Sequence, residues 1–169
     1  MPKVCAATVC SADNFMYYIP LFAFSIGLAY PDWDVKIFLK GQLKDEIRAL
    51  VPANTKIYEE MFLDYPDRVS TCNSLRFLIP SKYFEGYDYV YNTDVDFLIF
   101  PHKVTHLRYY SKIIDATGQP YAGARGPIRK PRRAEALDGW KGKMKRVAGG
   151  EVMLKTPDSL NQMTLSDFG

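Results

Sequence analysis

The chain has 169 residues, 47% hydrophobic and 24% charged, with a net charge of +3. That is the make-up of a soluble globular domain with room for one substantial core, and it excludes a chain disordered throughout. The charge is unevenly placed: residues 125–146 carry +7 and the remainder −4. This suits an anionic partner met at one surface better than a protein that coats nucleic acid.

In chain order, Lys3 to Val9 reads as a first buried strand. The uncharged run from Phe15 to Tyr30 is short for a membrane span and is interrupted by Pro20 and Gly27, so a buried helix is expected. Asp13 or Asn14 would cap it, and it should stop before Pro31. Asp34 to Leu39 is rich in branched and aromatic residues and predicts a strand. Leu43, Ile47, Leu50 and Val51 then recur at helical spacing, with Lys44, Asp45, Glu46 and Arg48 opposite and Pro52 as the stop. Thr55 to Phe62 predicts a strand, and Ser70 to Pro80 a helix ended by its proline.

Tyr87 to Phe100 follows as a strand region. A helix is predicted from Val104 to Ile114, with Leu107, Tyr110 and Ile114 on one face. Pro120 to Arg125 suggests a short strand. The segment VAGGEVMLKTPDSL predicts a strand and then a helix start, with Thr156 as cap and Pro157 at the first helical position. Strands alternating with helices imply one α/β domain over residues 1–169, with helices on both faces of its sheet. Ligands then gather beyond the carboxyl ends of the strands. Three cysteines, Cys5, Cys10 and Cys72, lack metal-ligand spacing and suit reduced thiols. No secretory signal is read at the start, and a cytoplasmic location is expected.

The stretch YDYVYNTDVDFLIF sets Asp94 and Asp96 two positions apart in an apolar run. Alternate strand residues project to one side, so both carboxylates can face one site if the strand continues between them. Alone they would repel each other. A hard divalent cation, Mg²⁺ or Mn²⁺, removes that conflict and accepts carboxylate and phosphate oxygens together. The plainer alternative is that the two aspartates cap a turn where the strand ends.

The segment SLRFLIPSKYFEGYDYVYNTDVDFLIF resembles the Asp-x-Asp segment of GT-A-fold glycosyltransferases, in particular the glycogenin-like and lipopolysaccharide-galactosyltransferase-like family. There an arginine-bearing helix leads into a similar acidic strand end. KVCAATVCSADNFMYYIPLFAFSI resembles that family's first strand and nucleotide-recognising turn, and GGEVMLKTP resembles its later "NsGvmlinp" segment. The resemblance runs from Lys3 to about Leu160. It implies a GT-A fold: a mixed, mostly parallel central sheet flanked by helices. It also implies a metal-dependent transfer of sugar from a nucleotide donor, a uridine diphosphate sugar by the closest likeness, to a hydroxyl on a glycan, protein or lipid.

By that match Asp94 lies near the donor ribose and metal, and Asp96 is the firmer ligand of Mn²⁺ or Mg²⁺. Arg76 lies near the donor diphosphate or sugar, or braces the acidic pair; a surface helix charge is the simpler reading. Ala7, Thr8 and Val9 lie against the nucleobase, Asn14 and Phe15 continue that pocket, and Val95 stands between the acids in the donor site. Gly149 and Gly150 let the backbone approach the sugar or acceptor, and Glu151 bonds sugar hydroxyls in the reaction centre. Three features depart from the family. Its late metal-binding histidine has no counterpart, since His102 and His106 come too early and suit a helix surface. Glycine stands at 149 or 150 where the family has asparagine or aspartate. The family's later acidic or amide pair is missing before the chain ends at LSDFG, so the C-terminal part of the family is expected to be lacking.

The stretch GPIRKPRRAEALDGWKGKMKR reads first as a solvated loop. In a glycosyltransferase its cations could meet a diphosphate, an anionic glycan or an acidic lipid surface, with Trp140 as a sugar-stacking face. Nucleic acid is not an expected partner, because aromatics are not interleaved at module spacing. Two other classes compete with the transferase. Phosphoryl chemistry would want its Asp-x-Asp near the start of the chain and a later acidic cluster. A catalytically silent donor-binding or interaction module would need neither.

Overall fold

The computed structural model describes residues 1–66, 74–119, 121–123 and 152–155. Its centre is β1, Val4–Cys10, in which six of the seven residues are buried. β2, Asp34–Leu39, pairs parallel to it in the register Cys5↔Asp34 to Cys10↔Leu39. On the other side lies β4, Tyr89–Asn92, also parallel, from Val4↔Tyr89 to Ala7↔Asn92. β3, Thr55–Tyr58, extends the sheet parallel to β2. Two short strands complete it: β5, Tyr121–Gly123, and β6, Val152–Leu154. β6 runs antiparallel to both β4 and β5. The order is therefore β3-β2-β1-β4-β6-β5, a mixed and mostly parallel sheet.

Residue alternation divides the sheet between two cores. Val4, Ala6, Val35, Ile37, Leu39, Tyr91 and Met153 face three helices: α1 at Ile19–Ala29, α2 at Asp45–Arg48 and α3 at His106–Thr117. Cys5, Ala7, Phe38 and Val90 face the other way. They pack under Phe77, Ile79, Phe84 and Tyr87, a segment whose regular element among the described residues is the 3-10 helix Ser81–Phe84. Small residues at positions 5 to 7 let both layers close on the middle strand.

Local chemistry explains where the elements begin and end. Between β1 and α1 the chain forms a 3-10 helix, Asp13–Tyr18, rather than one helix capped by Asp13 or Asn14. Ala12 occupies the cap position without a side-chain hydrogen bond. Pro20 accounts for this: it cannot donate to the residue four before it, and it is tolerated only in the first turn, where α1 places it. α1 ends as expected at Tyr30, ahead of Pro31.

The second helix is shorter than its apolar spacing predicts. Leu43 N donates to Glu59 Oε1 at 2.6 Å, which ties the chain down before α2, and Leu50 stays largely exposed. β3 stops at Tyr58, short of Phe62, because Glu60 and Phe62 take positive φ values of 57° and 63°, which no strand accommodates. α3 begins at Thr105, whose Oγ1 accepts from Arg108 N, and ends at Gly118 with φ 66°. Its buried face holds Tyr110 and Ile114, the face read from spacing. His106 opens that helix half-buried rather than on its surface: Tyr30 Oη and His106 Nδ1 share a 2.5 Å hydrogen bond. Among the described residues no helix is long and apolar enough to cross a membrane.

Candidate functional site

The sheet order reverses direction at β1 and β4, and their carboxyl ends lie side by side. A crevice at such a switch point is where open α/β sheets bind ligands. β1 contributes Ala7 and Thr8, both fully buried, and Val9, half-buried. The following 3-10 helix carries Asn14 and Phe15, both exposed. β6 begins at Val152 opposite Asn92, at the same end of the sheet. Gly149, Gly150, Glu151 and the basic stretch 125–146 lie outside the described residues, as do Cys72 and Trp140.

The acidic pair does not sit on a continuing strand. β4 ends at Asn92, Thr93 N still donates to Ala7 O at 3.2 Å, and the chain then turns, with Phe97 N donating to Asp94 O at 3.2 Å. The strand expected as far as Phe100 is cut short because Asp94 opens this turn, a position that suits aspartate. The two carboxylates consequently differ in setting. Asp94 is half-buried and Asp96 is exposed. Between them Val95 is buried in the main core, as is Ile99 further along the loop. Ile99 N donates to Ser25 Oγ at 3.1 Å, which ties the loop to α1.

Arg76 is brought to this turn from the segment that covers the second core. It is buried, not a surface helix charge, and Nη1 pairs with Asp94 Oδ1. Its guanidinium carbon stands 5.2 Å from the Phe77 ring centre. Phe77 N and Leu78 N close turns onto Ser74 O and Leu75 O. The rest of the predicted Ser70–Pro80 helix, as far as residue 73, lies outside the described residues.

Asn92 was not singled out from the sequence. Its Nδ2 donates to Arg76 O at 2.7 Å, so the end of β4 holds the arginine's backbone while Asp94 holds its head. A polar residue inside the buried run YVYNT was the available signal.

Four buried polar atoms at this end of the sheet have no partner among the described residues: Thr8 Oγ1, Asn92 Oδ1, Thr93 Oγ1 and Arg76 Nε. Leaving such groups unbonded is costly; strand alternation puts Thr8 on the face of the main core and Asn92 on that of the second, so the four do not form one cluster. The described residues contain no group of three metal-ligating side chains. Asp94 and Asp96, on one turn, are the residues there that could offer carboxylate oxygens to a cation. Such oxygens suit a hard cation which keeps water and takes phosphate oxygens for its remaining positions.

Solved structures share this architecture. The galactosyltransferase LgtC, in complex with donor and acceptor sugar analogs, matches with a TM-score of 0.59 at 14% identity, over 93% of this chain and 59% of that one. An active-site mutant of LgtC matches with a TM-score of 0.61 at 18% identity, over 96% of this chain and 60% of that one. The apo-form glycosyltransferase GlyE of Streptococcus pneumoniae TIGR4 matches at 0.50 and 10% identity, over 95% of this chain and 36% of that one. The chain has the GT-A fold. It spans 59–60% of the length of LgtC. No family model and no curated protein sequence matches it. In this GT-A sheet the Asp94–Asp96 turn leaves the strand beside β1, at the carboxyl edge.

Proposed function

We propose that the chain is the donor-binding part of a metal-dependent glycosyltransferase. It would take a nucleoside diphosphate sugar, uridine diphosphate being the nucleotide favoured by the resemblance, and pass the sugar to a hydroxyl of a glycan, protein or lipid. The observation that carries this reading is the turn after β4. There an exposed Asp96 and a half-buried Asp94, braced by Arg76, stand at the switch point of a GT-A sheet.

In this reading Asp94 and Asp96 would hold a Mn²⁺ or Mg²⁺ ion beside the donor diphosphate. Such an ion would supply electrostatic stabilisation of the leaving diphosphate. Arg76 holds the Asp94 carboxylate in place through Nη1, and its remaining N–H groups suit a phosphate oxygen. Ala7, Thr8 and Val9 form the floor under the nucleobase, with Asn14 and Phe15 at its rim. The acceptor oxygen forms a bond to the anomeric carbon, the bond from that carbon to the diphosphate breaks, and the acceptor proton leaves to a base or water. Gly149, Gly150 and Glu151 are assigned to the sugar by resemblance. The +7 stretch 125–146 suits an anionic acceptor or an anionic lipid surface.

Calorimetry with uridine diphosphate, with and without Mn²⁺, tests the reading. Binding should require the metal and disappear in Asp96→Ala, whereas equal binding without metal overturns it. Because the chain spans only part of LgtC, hydrolysis of a donor panel separates a working enzyme from a silent donor-binding module.

A further inference from the structure

Asn92 is the last residue of β4 and is 1% exposed. Pairing with Ala7 places it in line with Val90 on the face of the second core. An aliphatic side chain would serve that face, as Val90 does. A carboxamide there costs desolvation, and it is compensated in one direction only: Nδ2 donates to the Arg76 carbonyl, while Oδ1 has no partner among the described residues. Two residues later Asp94 pairs with the guanidinium of the same arginine. One short stretch of chain therefore grips Arg76 at its backbone and at its charged end.

We propose that Asn92 is a positioning residue of the donor site, setting where the Arg76 guanidinium and the Asp94 carboxylate stand relative to an incoming diphosphate. The proposal rests on the reading of Asp94, Asp96 and Arg76 as the diphosphate site. An arginine side chain has several rotatable bonds, so its head is placed accurately only when its backbone is anchored. Here the anchor comes from the strand that delivers the acids, so cation and carboxylates share one frame. A purely structural asparagine would contribute to stability without selecting among ligands. A positioning asparagine affects the ligand that carries phosphate and spares the one that lacks it.

The test is a double-mutant cycle read by calorimetry on the full chain, using uridine diphosphate with Mn²⁺ as one probe and uridine as the other. Asn92→Ala should weaken uridine diphosphate binding roughly tenfold, the scale on which supporting contacts around a site act. Uridine affinity should stay within about twofold, inside the spread of independent sites. In an Arg76→Gln background the same substitution should change uridine diphosphate affinity by less than about twofold, because its route of action has been removed. Asn92→Ser, whose hydroxyl stops one bond short of the Nδ2 position, should show the same selective loss and serves as the variant if alanine prevents folding. Losses that add in the double variant, or equal weakening of both probes, overturn the proposal alone. No binding of uridine diphosphate with Mn²⁺ by the unmodified chain overturns the donor-site reading and this proposal with it.

Discussion

Arg76 and Asp94 form an ion pair whose two ends sit in unequal surroundings: the arginine side chain is 5% exposed and the carboxylate 35%. The inequality determines which partner the protein can afford to lose. Asp94→Ala strands a cation in a dry place, whereas Arg76→Met leaves a carboxylate that water can reach. Met also keeps an unbranched apolar stem, though it loses the guanidinium carbon that stands 5.2 Å from the Phe77 ring centre. Removing Asp94 should cost about 3 kcal/mol and removing Arg76 about 1 kcal/mol in denaturant unfolding. The double variant should lose less than the sum of the two. A larger loss for Arg76→Met would mean that the guanidinium contributes chiefly through packing.

Ser25 holds the acidic loop from behind. Its hydroxyl donates to Phe22 O at 2.9 Å and accepts from Ile99 N at 3.1 Å. Ser25→Ala leaves that buried N–H without its acceptor and should cost about 1–3 kcal/mol. Hydrogen exchange at the Ile99 amide should accelerate by more than the global loss of stability explains. If the amide exchanges only in step with global unfolding, the serine does not restrain the loop.

Lys36 sits in β2 under the second core, where its Nζ donates to the Tyr83 carbonyl and stands 4.5 Å from the Tyr87 ring centre. Burial nevertheless lowers its pKa, so the charged form loses more from desolvation than it gains from these contacts. Stability contributed through this group rises as pH climbs from its folded pKa toward the unfolded value of 10.5. Lys36→Met, which keeps the stem, should change stability at neutral pH by less than about 1 kcal/mol, and Lys36→Ala should cost about 2 kcal/mol. Equal losses in thermal unfolding would locate the stabilisation in the ammonium group instead.

Cys5 titrates with the opposite sign. Burial pushes its thiol from 9.0 up to about 12, and nearby Lys36 offsets only part of that. Below pH 9 the thiol is neutral in both states and its full contribution is present. Above pH 9 the unfolded chain ionises first, so stability falls until the folded thiol also ionises near 12. The slope is about 1.4 kcal/mol per pH unit for one such group. Denaturant midpoints at pH 8 and pH 10 should converge in Cys5→Ala relative to the unmodified chain. An unchanged slope would assign the alkaline loss to another group.

Strands and faces were legible wherever composition matched burial on its own. β2 was expected at Asp34–Leu39 and lies there, because a run of branched and aromatic residues has few other ways to be buried on both sides. Tyr110 and Ile114 share the inward face of α3 for the same reason. The segment after Asn92 read as strand because its residues are mostly apolar. Its actual form, a turn with Val95 and Ile99 inward and Asp96 outward, buries apolar residues equally well. Asn92 was not singled out, and His106 was read as a helix-surface residue, because their partners, Arg76 and Tyr30, are 16 and 76 positions away.

Taken alone, the order of residues determined an α/β chain and a pair of acids near a strand's end, since periodicity and apolar runs are local properties. Only the tertiary structure decided that Asp94 faces a buried arginine while Asp96 faces water, and that Asn92 anchors that arginine. Those outcomes depend on contacts between segments distant in sequence, and the strength of a charge or hydrogen bond is set by the burial that such contacts create.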